Sequence, residues 1–173
     1  MAAFAELVAI NQSRIRLFLR RLCKDYDLAD DLAQEALMIA YQKIGSFQGT
    51  GSFQGWLIRI AHRCFLTHVR QEKRKQVLMA DYQQSLSVIP EAYDGISTLQ
   101  ADLEAAIAQL NYGEAAAITL CHSFGFSHQE VAEIVDTPLG TVKSQIRRGM
   151  EKLKLVFSDA ENSATIHRQK EAI

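Results

Sequence analysis

Lys143, Ser144, Arg147 and Arg148 stand on the polar side of a segment whose apolar residues, Val142, Ile146, Gly149, Met150 and Leu153, recur at helical spacing. Cations and a hydroxyl on the first two turns of a helix suit a nucleic acid. Arginine grips guanine with two hydrogen bonds, and lysine or serine serves base edges or phosphates. The residues upstream complete the device. Ser127 and Glu130 have capping-box spacing, with Phe126 and Val131 at the positions of a hydrophobic staple. A short helix over 128–135 is predicted, burying Val131, Ala132, Ile134 and Val135. Asp136-Thr137-Pro138-Leu139-Gly140 breaks it, and Thr141 is the expected cap of the next helix. A helix-turn-helix sends the N-terminal part of its second helix into the major groove, so residues 126–154 read as DNA-binding. The competing reading is an ordinary helical hairpin with a basic surface.

Other chemistry is absent from the pattern. No P-loop, nucleophile elbow or HExxH occurs, so no catalytic residue and no enzyme activity is expected. His62, Cys64 and His68 lie on one predicted helix, but spacings of two and four do not put all three on one face, and no fourth ligand is evident. Neither a metal nor a cofactor is expected. Cys23, Cys64 and Cys121 are odd in number, widely spaced and without a CxxC, which suggests no disulfide framework.

The net charge of −1 is unpromising for a DNA binder until it is mapped. Residues 1–80 carry 12 Lys/Arg against 7 Asp/Glu, residues 81–110 carry 5 acidic residues and no basic one, and residues 139–154 have a net charge of +4. Two basic patches flank an acidic stretch, and local patches govern phosphate contact. The chain's 173 residues allow one large or two small domains. There is no run of 18 apolar residues, and the first residues lack the basic start and cleavage site of a signal peptide. A cytoplasmic protein without membrane insertion is expected.

The elements that position these residues read as helices throughout, with no strand alternation. A first helix over about 4–24 has an apolar stripe of Ile15, Phe18, Leu19 and Leu22, and a row of Arg16, Arg20 and Lys24 expected to be solvated. A second is predicted from near Asp27 to Gly45. Its stripe is Ala33, Ala36, Leu37, Ala40, Tyr41 and Ile44, and Asp31, Glu35, Met38 and Gln42 lie opposite, with Gln34 on their flank. The glycine-rich stretch 45–55 is a loop, its ends pinned by Phe47 and Phe53. Ser52 is a plausible N-cap of a third helix. That helix is expected to turn Trp56, Leu57, Ile60, Ala61 and Cys64 inward, and Arg59, Arg63, Leu66 and Arg70 outward, flanked by His62 and Thr67. Residues 76–100 have weak periodicity and read as a linker.

These motifs resemble those of bacterial sigma factors of the extracytoplasmic-function type. GTVKSQIRRGMEKLK (140–154) is similar to the family's recognition helix and FSHQEVAEIV (126–135) to the helix before it. DDLAQEALMIAYQKIGSF (30–47) resembles the helix by which sigma factors grip the polymerase β′ clamp, and SFQGWLIRIAHR (52–63) the segment that recognises and opens the −10 promoter element. The resemblance implies an all-α fold of two small helical domains joined by a flexible linker. The expected boundaries are 1–75, a linker 76–100, a helix-turn-helix domain 101–157, and a tail 158–173 whose sequence fits either a disordered end or an extension of the last helix.

The resemblance also implies roles. Asp31, Gln34, Glu35 and Met38 would bind core polymerase. Phe47, Gly49, Ser52, Arg59, Arg63 and Arg70 would serve the −10 element, the loop glycines admitting backbone close to a flipped base. Lys73 and Arg74 would add strand contacts, while Trp56 is first a core anchor. Lys143, Ser144, Arg147 and Arg148 would read the −35 element, and the acidic stretch 81–104 would thread polymerase channels. Expected partners are core RNA polymerase (β and β′ subunits), promoter DNA and an anti-sigma factor. The sequence departs from the family pattern at Arg63 (often Asn), Thr67 (often Asp), Gln145 (commonly Arg) and Cys121-His122 (often Arg followed by an acid), which puts promoter choice in doubt. Two alternatives stay open: a stand-alone helix-turn-helix regulator, and a degenerate sigma-like interaction protein.

Overall fold

The computed structural model describes residues 2–49, 51–79 and 98–170, and every regular element among them is helical. The chain divides into two units.

In the first unit, α1 (Ala2–Cys23), α2 (Tyr26–Lys43) and α3 (Phe53–Met79) pack pairwise. The predicted stripe of α1, Ile15, Phe18, Leu19 and Leu22, is at most 4% exposed. Each such side chain contributes about 1.5–3 kcal/mol when buried. α1 ends where Lys24 turns left-handed (φ 57°), its N–H still closing on the Arg20 carbonyl at 3.0 Å. Asp25 then caps α2, its carboxylate accepting the Leu28 N–H at 3.0 Å. The helix therefore starts ahead of the predicted Asp27.

The inner face of α2 is built of Ala29, Leu32, Ala33, Ala36 and Ala40. Small side chains there let both neighbouring helices approach closely. The stripe is narrower than predicted: Leu37 and Ile44 are only half-buried and Tyr41 is 48% exposed, because α1 and α3 cover the alanine side. A 3₁₀ turn, Ile44–Ser46, leads into the loop.

Ser52 caps α3 as expected, its hydroxyl accepting the Gly55 N–H at 3.0 Å. The buried arc of α3 is Leu57, Ile58, Ala61, His62, Cys64 and Phe65. It is rotated from the predicted one towards Ile58, His62 and Phe65. Trp56 and Ile60 are therefore half-buried rather than core, and His62, expected on the outward flank, is inside. α3 also runs past the expected boundary at 75. Of the expected linker, residues 80–97 lie outside the described residues.

After these helices, α4 (Thr98–Ala108), α5 (Tyr112–Ile118), a π-helical segment (Thr119–Ser123), α6 (His128–Val135) and α7 (Leu139–Lys170) follow in order, the second unit taking all of them but the end of α6 from Glu133. Asn111 caps α5 in a capping box the sequence reading had not singled out: its side chain accepts the Glu114 N–H at 2.9 Å, and the Glu114 carboxylate accepts the Asn111 N–H at 3.3 Å. Ala106, Ile107, Leu110, Ala115, Ile118 and Leu153 form the core, with Met150, Val156 and Phe157 against it. The π segment ends as the Phe124 N–H closes on the Thr119 carbonyl at 3.0 Å, and Gly125 (φ 79°) supplies the left-handed turn that frees α6 to leave in a new direction. α7 continues helical through Lys170, which answers the question left open for the tail. No helix among the described residues is long and apolar enough to cross a membrane.

Candidate nucleic-acid interface

α6 begins as its sequence dictates. The Ser127 N–H donates to the Glu130 carboxylate at 2.8 Å, and the Glu130 N–H donates to the Ser127 hydroxyl at 3.2 Å. Phe126, Val131, Ala132, Ile134 and Val135 are all buried. α6 stops where Asp136 turns left-handed (φ 53°), and the Thr137 N–H closes on the Ala132 carbonyl at 3.0 Å. α7 then starts earlier than predicted. Its first bonds run from the Thr141 and Val142 N–H groups to the Pro138 carbonyl, so Thr141 sits inside the first turn and is not its cap. Proline before the first helical residue needs no amide hydrogen there, and its fixed φ suits a helix start.

Val142, Ile146, Gly149 and Leu153 hold α7 down. Lys143, Arg147 and Arg148 are exposed on its first turns, in agreement with the expectation. Arg147 pairs with Glu151 at 3.3 Å, both well exposed, a contact weak enough to exchange for a phosphate. Ser144 differs: it is half-buried, and its hydroxyl donates to the Thr141 carbonyl at 2.8 Å. Its proton is already committed to the helix, which leaves the oxygen as an acceptor.

In the first unit an aromatic cluster closes the glycine-rich loop. Phe47 and Phe53 meet edge-on at 5.6 Å between ring centroids, and each lies 5.5 Å from Trp56. Gly49 (φ 71°) and Gly51 (φ 77°) carry the backbone across in conformations that L side chains rarely adopt. Gly49 and Ser52 are exposed and Phe47 is half-buried. Arg59, Arg63 and Arg70 then follow on one line of α3, the latter two exposed. The loop and Arg59 thus lie at the N-terminal end of α3, Arg63 and Arg70 extend the same line towards its C-terminal half, and His62 does not join them. Its ring lies 6.2 Å from that of Phe18, and burial, with the Arg63 charge adding, pushes it down to about 4. It is neutral at pH 7.

Asp31, Gln34, Glu35 and Met38 are all exposed on the outer side of α2, Met38 at 64%. Beside them an open groove of about 300 Å³ is lined by Val8, Leu37, Met38, Tyr41 and Gln42. Tyr41 belongs to the apolar stripe of α2 but is 48% exposed and lines this groove. The groove's signal in the sequence is a stripe too wide for two neighbouring helices to cover. Arg16 and Arg20, on the row expected to be solvated, stay partly exposed and reach Asp30 at 3.8 and 3.3 Å. Among the described residues no three His, Cys, Asp or Glu side chains come together as a metal site. Burial, with the charge of Asp25 adding, pushes the Cys23 thiol up to about 12. Burial, followed by the charge of Glu35, pushes Cys64 up to about 11. Neither thiol is an active nucleophile.

Comparison with known proteins agrees with this geometry. Residues 7–75 match the Sigma-70 region 2 family model, and residues 100–153 match that of Sigma-70, region 4. The ECF RNA polymerase sigma factor SigE of Mycolicibacterium smegmatis is 34% identical over 89% of this chain and 61% of its own length. The ECF RNA polymerase sigma factor SigW of Bacillus subtilis is 32% identical over 91% of this chain and 90% of its own. Among solved structures, the sigma factor RpoE of Bartonella quintana, in complex with the anti-sigma factor NepR, superposes with a TM-score of 0.75 at 26% identity, over 91% of this chain and 98% of that one. A stand-alone regulator with the same helix-turn-helix would not carry region 2 ahead of it. The basic helix of one unit, the aromatic-closed loop of the other and the order of the two matched regions lead to one assignment: the chain belongs to the ECF RNA polymerase sigma factors.

Proposed function

We propose that this sigma factor divides its work among three surfaces. The exposed face of α2, with Asp31, Gln34, Glu35 and Met38, docks on core RNA polymerase. The loop held by Phe47, Phe53 and Trp56, with Gly49, Ser52, Arg59, Arg63 and Arg70, engages the −10 element. Lys143, Arg147 and Arg148 read the −35 element, with the Ser144 oxygen as an acceptor at the groove. The observation that carries this reading is the coexistence of an exposed basic recognition helix with a separate unit of Sigma-70 region 2 type. Functional boundaries follow: 1–75 for polymerase and the −10 element, 76–100 as connection, and 101–157 for the −35 element, with 158–173 beyond.

The chain adds no catalytic group of its own. Extruding a base costs a few kcal/mol, and positioned backbone, aromatic rings and phosphate contacts offset it while the polymerase performs RNA synthesis. The work belongs in the cytoplasm, where core polymerase is. An anti-sigma factor is the natural antagonist, since the RpoE relative of Bartonella quintana was solved with one bound. The groove beside Met38 and Tyr41 supplies apolar surface for such a partner.

Run-off transcription with purified core polymerase over a library of promoter fragments tests this. Specific initiation is expected only with the protein present, and is expected to vanish in a Gln34→Ala/Glu35→Ala double variant. Sequence-specific duplex binding by the protein alone, without initiation from any fragment, would replace this reading with a polymerase-independent regulator.

A further inference from the structure

Gln145, Gly149 and Lys152 lie along one line of α7, at spacings of four and three, and all three meet α5. A Cβ on Gly113 would come within 2.5 Å of the Gln145 amide nitrogen, and one on Gly149 within 2.5 Å of Ile118 Cδ1 and 3.3 Å of Glu114 Cβ. Lys152 Nζ donates to Glu114 Oε2 at 2.7 Å. Lys143 and Arg147 sit on the opposite side of the same helix. Gln145, where the family commonly has Arg, is therefore engaged with α5.

Glu114 is the fixed end of this seam. Its side chain is 3% exposed, while that of Lys152 is 48% exposed. Burial favours the neutral acid, but the hydrogen bonds from Lys152 and Asn111, with the charges of Lys152 and Arg148, outweigh it and hold the carboxyl below its ordinary value. A buried carboxylate so held tolerates few geometries, because leaving its partner uncovers a desolvated charge. The missing side chain at Gly149 lets α7 lie against Ile118 and the Glu114 Cβ, close enough for the pair to form. Rotating a helix by about 20° moves a side chain at its roughly 6 Å radius by about 2 Å, more than a two-hydrogen-bond contact to a base survives.

We propose that Glu114 is a positioning residue for −35 recognition: through Lys152 it sets the rotation of α7 about its axis, and so where Lys143 and Arg147 meet the groove. This rests on the reading of α7 as the −35 helix.

The test uses full-length Glu114→Gln, Lys152→Met and the double variant as holoenzymes. Initiation is measured at a promoter selected from the library and at a copy whose −35 element alone is scrambled. Glutamine removes the charge and keeps one oxygen to accept from Asn111 in the capping box and from Lys152. The ratio of the two rates is expected to fall about tenfold in each single variant, the size of one specific base contact, with little further loss in the double. A purely structural role lowers both rates together and leaves the ratio unchanged, and that result overturns the proposal. If Glu114→Gln fails to fold, Lys152→Met, at an exposed side chain, decides by the same ratio. A wild type indifferent to the −35 element overturns the reading of α7 and this one with it. A wild type that depends on it, beside variants that still do, overturns only the positioning role.

Discussion

The guanidinium of Arg20 lies 3.3 Å from the carboxylate of Asp30 and 5.1 Å from the centre of the Tyr26 ring, so the last turn of α1 is clasped to the first turns of α2. Asp30 adjoins Asp31 of the proposed polymerase-binding face. The pair is partly exposed, and such pairs contribute up to about 1 kcal/mol, with a similar amount from a cation over an aromatic ring. Arg20→Ala is expected to cost about 1–2 kcal/mol in urea unfolding, and Asp30→Asn less, since the ring contact survives. Asp30 also meets Arg16 at 3.8 Å, so Arg16→Ala is measured alongside: equal losses for Arg20→Ala and Asp30→Asn with Arg16→Ala neutral would show that the ring contributes nothing.

Trp56 is the chain's single tryptophan and touches both phenylalanines of the loop. Phe47→Ala should therefore shift tryptophan emission to the red and cost about 1–2 kcal/mol, from two aromatic contacts. The proposed roles add that promoter opening, followed by permanganate reactivity of the −10 thymines, falls while affinity for core polymerase holds. Loss of polymerase affinity in parallel would assign the cluster to the scaffold alone.

Buried His62 makes the first unit sensitive to acid. The unfolded residue titrates near 6.5 and the folded one near 4. As pH falls through that window the unfolded state takes up a proton that the folded state excludes, so stability drops. The slope is about 1.4 kcal/mol per pH unit, for a total of about 3 kcal/mol, and it flattens below the folded value. His62→Leu should remove this slope, as read by urea unfolding at stepped pH. A slope that persists would mean that other groups cause it.

The cap of α6 predicts a different acid response. Glu130 is held below its ordinary value by the Ser127 N–H and hydroxyl. Its contribution is present above the unfolded value and fades as pH falls through the lower folded one. Ser127→Ala, which deletes the cap oxygen, should cost about 1 kcal/mol near neutral pH and less at pH 3. Thermal unfolding at the two pH values checks this, and a cost independent of pH would separate the cap from the carboxylate.

Gly149 is expected to reject even a methyl group. Gly149→Ala presses on Ile118 Cδ1. Overpacking costs about 1–3 kcal/mol, against a gain of about 1 kcal/mol in helix propensity. Adding Ile118→Val, which deletes that methyl group, should restore much of the loss. A double variant less stable than the sum of the singles would place the crowding elsewhere.

What the sequence determined by itself is local. Ser127 with Glu130, and Ser52 with the Gly55 N–H, are bonds across three residues, written in residue type and spacing. The stripe of α1 and the outward side of α7 follow from helical periodicity in the same way, and the family assignment rests on such local patterns. The tertiary structure alone decided which helices cover which faces. It set the arc of α3 that takes His62 inside, left Tyr41 beside a groove, and moved the start of α7 ahead of Thr141. It also made the pairs between separate helices: Arg20 with Asp30, Phe18 with His62, and Glu114 with Lys152 across 38 positions. Periodicity states that a face is apolar or charged. Partners across helices depend on crossing angle and close approach, which small residues such as Ala33, Ala36 and Gly149 permit only once the helices are packed.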